Sequence, residues 1–196
     1  MMMNPWRSIW TKPRETIREI VAENPNRSIW VLAFIVGFSY FLNYWGDVLF
    51  LIGIIPILIG LVLAPFVGHL VFAIWSGLLL LTGRMFKGAG SFRTIRAAQA
   101  WSSVPLVANI ALYLVSAFFL FAMMRMQTVG VLQVGFVIFA IMRLVFAIWS
   151  LVLFVITLSE VQKFSVLRAI GNFVSTVIIF MGIIVVLGLV VGMFLR

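Results

Sequence analysis

Apolar residues in this chain fall into long unbroken runs, separated by short polar segments. The runs cover about 29–45, 48–82, 104–124, 131–157 and 170–195. An apolar run of about 20 residues is what an α-helix needs to cross a bilayer core of about 30 Å. The pattern predicts an all-α fold, a polytopic membrane helical bundle with five transmembrane helices. The second run is too long for one span, because as a single helix it would extend about 50 Å. It must be interrupted, and Gly53, Pro56 and Gly60 supply the weak point. A turn is expected at Asp47, then a half-helix or re-entrant segment over 48–59, then the second span over 60–82. Non-helical backbone at that depth is tolerated only where it is buried in protein or faces water. Gly60, Ala64 and Gly68 recur every four residues, as do Gly188 and Gly192, and such small-residue stripes suit close helix packing.

Residues 1–28 precede the first apolar run and read as a cytosolic amphipathic lead-in. A helix is expected from Lys12-Pro13 to about Glu23, with Thr11 as its cap and Asn24-Pro25 as its stop. Ile17, Ile20 and Val21 share one face. That face suits a helix lying on the membrane surface with Trp6 and Trp10 at headgroup depth; packing against a loop is the alternative.

One heptapeptide occurs twice. Leu70-Val71-Phe72-Ala73-Ile74-Trp75-Ser76 returns unchanged as Leu144-Val145-Phe146-Ala147-Ile148-Trp149-Ser150. His69 precedes the first copy and Arg143 the second. Further along, Phe92, Arg96 and Ala97 match Phe164, Arg168 and Ala169 at equal spacing. Each unit would be an inward-going span, a basic connector and an outward-going span. This is a parallel internal repeat of spans 2–3 and 4–5.

Composition sharpens the class. The chain is 64% hydrophobic and only 10% charged, against about 25% charged in soluble domains. Its net charge of +9 does not point to nucleic acid, since the basic residues sit in short loops between spans. Arg7, Lys12, Arg14, Arg18 and Arg27 lie in the lead-in, Arg84, Lys87, Arg93 and Arg96 in the 83–103 loop, and Lys163 and Arg168 in the 158–169 loop. Only Arg125 and Arg196 lie on the other side. The positive-inside rule then puts the N-terminus in the cytoplasm and the C-terminus outside, with the basic loops near anionic lipid headgroups. There is no cysteine, which excludes disulfides and thiol chemistry. No signal-peptide pattern precedes the first span, so that span is expected to direct insertion.

Several motifs resemble a known family. Lys87-Gly88-Ala89-Gly90-Ser91-Phe92-Arg93, followed by Ala100-Trp101-Ser102-Ser103-Val104-Pro105, resembles the connector of the Yip (Ypt-interacting protein) domain. Leu158-Ser159-Glu160-Val161-Gln162 resembles its second connector, and His69 matches a position where the family often has histidine. Asn4-Pro5-Trp6 and Trp10-Thr11-Lys12-Pro13-Arg14 resemble the bacterial branch. The resemblance implies a membrane domain over 29–196 in a bacterial inner (cell) membrane. The expected role is that of a non-enzymatic, membrane-organising or adaptor protein, with self-association or a membrane-protein partner. Eukaryotic members bind Rab-type GTPases through a long cytosolic region that residues 1–28 do not match, so that role is not expected.

Candidate chemistry is sparse. His69 and Arg143, pseudo-equivalent by the repeat, are ionisable residues inside spans and hence candidate ligand-binding positions. With Asp47 they could hold an anionic headgroup or small anion, the basis of an alternative reading as a small transporter or channel. Their plainer role is helix–helix hydrogen bonding, or snorkelling for Arg143. Arg84, Lys87, Arg93, Arg96, Glu160, Lys163 and Arg168 form a candidate cytosolic interaction face, with Glu160 expected to pair with Arg93, Arg96 or Lys163. Asn109, Tyr113 and Gln133 read as helix–helix glue. The Gly88–Gly90 segment lacks P-loop spacing and reads as a turn. Hydrolase motifs are missing, and no cofactor or metal is expected.

Overall fold

A computed structural model describes residues 4–52, 54–126 and 130–194. Every regular element among them is an α-helix. Helix α1 (Pro5–Ser8) begins with proline in its first turn, and its Trp6 amide donates to the Asn4 Oδ1 at 3.1 Å. Helix α2 (Pro13–Glu23) keeps the expected bounds, although Lys12 rather than Thr11 is its N-cap and its side chain makes no capping hydrogen bond. Its apolar face does not lie on the bilayer. Thr16, Ile17 and Ile20 are buried. The two isoleucines join Ile9, Trp101 and Leu153 in the main core. Protein contact removes the same apolar area from water as lipid would, and adds close packing.

Helices α3 (Ile29–Ile52) and α4 (Ile54–Met85) form an antiparallel pair. α3 runs straight through Asp47, so the expected turn is absent, and residues 48–59 divide between the end of α3 and the start of α4. Gly53 and the Asp47 side chain lie outside the described residues. Pro56 falls in the first turn of α4, where a missing N–H costs nothing. Gly60 faces the Phe41 ring, where a Cβ would come within 2.1 Å, so it serves packing rather than interruption. The stripe continues inward: a Cβ on Gly68 would meet the Ala33 carbonyl oxygen at 1.8 Å, and one on Gly37 would meet that of Ala64 at 1.8 Å. The two backbones touch along this line.

Helix α5 (Phe92–Ser102) opens with a capping box: Ser91 Oγ accepts from the Thr94 amide, and Thr94 Oγ1 from the Ser91 amide. Ala97, Ala98 and Ala100 are fully buried and let α5 slot between α4 and α7. A turn over 103–105 ending at Pro105 separates α5 from α6 (Leu106–Met126). Helices α7 (Gly130–Gln162) and α8 (Val166–Phe194) complete the bundle; of the short turn that Arg125, Gln127 and Thr128 predict from the sequence, Arg125 falls inside α6 and residues 127–129 lie outside the described residues. Four stretches are long and apolar enough to cross a membrane: Ile57–Met85, Phe92–Phe119, Gln133–Gln162 and Val166–Phe194. The first expected span is represented by the shorter apolar stretch Ile29–Tyr44. From residue 181 to 194 every side chain of α8 is exposed, as a lipid-facing helix would be.

Candidate functional site

The two intramembrane candidates sit in different surroundings. His69 Nδ1 lies 2.9 Å from the Pro65 carbonyl oxygen, one turn back on its own helix. Proline at 65 cannot donate to the preceding turn. The imidazole also packs on Trp30 of α3, with ring centroids 4.1 Å apart. Arg143 of α7 is gripped from two other helices instead. Its Nε donates to Asn109 Oδ1 at 3.0 Å, its Nη2 donates to Asn43 Oδ1 at 2.6 Å, and its guanidinium lies 4.7 Å from the Tyr113 ring centre. Asn43 is itself fixed by donating to the Ser39 carbonyl at 2.7 Å. Amide oxygens and a π face offset the desolvation of the guanidinium. His69 and Arg143 share no partner among the described residues. Asn109 and Tyr113 are glue, as expected, while the part played by Asn43 was not foreseen.

The duplicated heptapeptide frames a cleft. Val71, Phe72 and Trp75 from the first copy and Ala147 and Ser150 from the second line a cavity of about 310 Å³. Gln99, Ser102 and Ser103, where α5 gives way to the turn, form its floor. Both copies reach α5 through their terminal serine. Ser76 Oγ donates to Gln99 Oε1 at 3.0 Å, and Ser150 Oγ donates to the Ser102 carbonyl at 2.7 Å. Thr157 Oγ1 lies 3.3 Å from the Ala98 carbonyl. The Ser102 carbonyl, freed where the helix ends, is thus met by a hydroxyl of a neighbouring helix, as low-dielectric surroundings require. Neither His69 nor Arg143 lines this cleft.

At the other end of the bundle the two connectors interlock. The Gly-rich loop closes over the side chain of Gln162, which is almost fully buried. Gln162 Oε1 accepts from the Gly90 amide at 3.1 Å, its Nε2 faces the Leu79 carbonyl at 3.4 Å, and its own carbonyl accepts from the Ala89 amide at 2.9 Å. A Cβ on Gly83, Gly88 or Gly90 would come within 2.3, 2.3 and 2.9 Å of that side chain. The glycines therefore serve close approach to Gln162, in a turn whose Lys87 has a left-handed φ of 60°. Beside it, Thr82 Oγ1 lies 2.7 Å from Thr176 Oγ1 and donates to Asn172 Oδ1, whose Nδ2 faces the Leu79 carbonyl. This buried chain joins α4 to α8.

Glu160 does not pair with Arg93, Arg96 or Lys163. Arg18 of α2 takes it, with Nε at 3.0 Å and Nη2 at 2.9 Å from the same carboxylate oxygen. The reason is the docking of α2 on α7, invisible in local spacing. Arg96 instead donates to Asn26 Oδ1 at 2.6 Å and lies over the Phe92 ring. Arg84, Lys87, Arg93, Lys163 and Arg168 are exposed. Among the described residues no group of three His, Cys, Asp or Glu side chains is present.

A family model, the Yip1 domain, matches residues 7–188. The chain belongs to the Yip1 domain family. Comparison with curated proteins and with solved structures gives no match. The Yip1 match starts inside α1, in accord with the packing of α1 and α2 into the core. It also covers both connectors, whose interlock through Gln162 draws on Gly83 at the end of α4 and on Gly88 and Gly90 of the first loop. A Yip1-domain chain built of these apolar helices is a multi-pass integral membrane protein.

Proposed function

We propose that this chain is a non-enzymatic, membrane-organising or adaptor protein whose working surface is the basic end of the bundle. One observation carries the reading. The N-terminal helices and both connectors form one packed body, tied by Arg18–Glu160 and Arg96–Asn26, that turns Arg84, Lys87, Arg93, Lys163 and Arg168 outward. Rigid, outward-facing cations suit a partner or headgroup surface better than a reacting centre. In this reading Ile29–Tyr44 is the first and shortest of five spans, the N-terminus is cytoplasmic, the C-terminus is outside, and the membrane is a bacterial inner membrane. The parallel repeat of spans 2–3 and 4–5 rests in this reading on the duplicated heptapeptide. Arg143, held by Asn43 and Asn109, serves as a helix clamp rather than as a ligand site with His69 and Asp47.

The test is co-purification from native membranes, with bound protein and lipid quantified. Charge reversal of Arg84, Lys87 and Arg93 together should strip the bound partner or anionic lipid, while Arg143→Leu should leave it in place. Liposome flux of an anionic solute that is lost in Arg143→Leu but kept in Arg93→Ala would overturn the adaptor reading in favour of transport.

A further inference from the structure

The cleft between the two heptapeptide copies has a chemistry that the basic end does not use. Its walls are apolar: Phe72 and Trp75 on one side, Ala147, Leu151 and Phe154 on the other. Phe173 and Phe180 of α8 pack on Trp75 at 6.4 and 5.2 Å. The floor is different. Ser76 donates to Gln99 Oε1, and beside the cavity the two N–H donors of that side-chain amide take no partner among the described residues. The cleft is also unsealed, since Ala147 and Leu151 on its wall are exposed.

Gln99 lies where α5 turns from polar to apolar. Arg96 is one turn before it, and the run from Val104 into α6 lies beyond. In a bilayer this is the level between headgroups and hydrocarbon. The molecule that presents an acceptor at that level and a hydrocarbon chain just beneath it is an ester-linked membrane lipid. A volume of about 310 Å³ lies at the small end of ligand sites of about 300–1,000 Å³, so it suits part of a lipid rather than the whole.

We infer that the cleft holds one acyl chain of a glycerolipid, with the chain's ester carbonyl accepting a hydrogen bond from the Gln99 amide. The chain lies between Trp75 and Phe154, and the second chain and headgroup stay in the bilayer. The duplicated heptapeptide then makes a two-walled lipid slot, one wall from each copy.

The full-length protein is reconstituted in vesicles of phosphatidylethanolamine and phosphatidylglycerol. These are doped with a phosphatidylethanolamine carrying a diazirine in one acyl chain, either ester- or ether-linked. After photolysis the labelled residues are mapped. The expected result is labelling of residues 72–79 and 147–154 well above that of 181–194, which meet bulk lipid, with the ester probe favoured by about two- to tenfold, the worth of one hydrogen bond. Gln99→Leu should abolish the ester preference, and Ala147→Phe should empty the slot while labelling of 181–194 stays constant. Uniform labelling of all three segments in the unsubstituted protein overturns the inference. So does equal labelling by the ester and ether probes, and neither result depends on a variant folding.

Discussion

The two copies of Leu-Val-Phe-Ala-Ile-Trp-Ser are identical in sequence and differ in how deeply one face is packed. In α4 that face is closed: Phe72 is 1% exposed and Ser76 fully buried. In α7 Phe146 and Ser150 are only half-buried and Trp149 is 40% exposed, while the outer face is open in both copies, Leu70 at 61% and Leu144 at 60%. The inward positions are nevertheless the same, phenylalanine and the serine four residues on, which share a helix face. What differs is the neighbour. Phe72 is covered by the main core, whereas Phe146 meets the edge of Trp10, a residue of the N-terminal segment. Identical residues take their burial from what is packed against them, and in membrane helices hydropathy does not choose that partner.

Core truncation should separate the copies most sharply. Phe72→Ala is expected to cost about 3–5 kcal/mol, the range for a buried phenylalanine. Phe146→Ala, at a half-buried site, should cost about 1 kcal/mol. Equal losses in reversible unfolding from mixed micelles would erase the contrast. The glycine stripes come next. Gly68→Ala drives a methyl into the Ala33 carbonyl, which as backbone cannot yield, and should cost about 1–3 kcal/mol. Gly188, around which a Cβ meets nothing within 4 Å, should accept alanine neutrally or gain up to about 1 kcal/mol.

The serines probe what the copies share. Ser76→Ala and Ser150→Ala should each cost about 1 kcal/mol and speed hydrogen exchange in residues 97–103. An effect from one alone would mean that a single copy holds α5. The smallest expected change lies in the N-terminal cover. Arg18→Ala removes an ion pair whose arginine is 68% exposed, worth about 0.2–1 kcal/mol and fading with added salt. Exchange should rise in residues 144–150 and stay constant in 70–76; the reverse order would show that α2 does not serve the second copy.

Helix placement was largely legible. The bounds of α2 follow from Pro13 and from Asn24-Pro25, and the close α3–α4 contact follows from the Gly60-Ala64-Gly68 spacing. The turn at Asp47 was misjudged because a lone acid in an apolar run reads as a loop, although a helix tolerates it at its end. The partners were not legible. Arg18 meets Glu160 across 142 residues and Arg143 meets Asn43 across 100. Such pairs depend on which helices become neighbours, and neither periodicity nor charge counting carries that information. Gln162 was readable only as part of a connector, since nothing in its local sequence marks it as the group that three distant glycines surround.

That arrangement has a consequence for the making of the protein. The loop after α4 closes on a side chain 72 residues further along. At a synthesis rate of about 5–20 residues per second, the loop emerges about 4–14 s before its closing residue does. Through that interval α4, α5 and α6 wait in the membrane unlatched. The first connector is therefore closed only once α7 is complete, and a chain truncated before Gln162 would leave it open however well its helices had inserted.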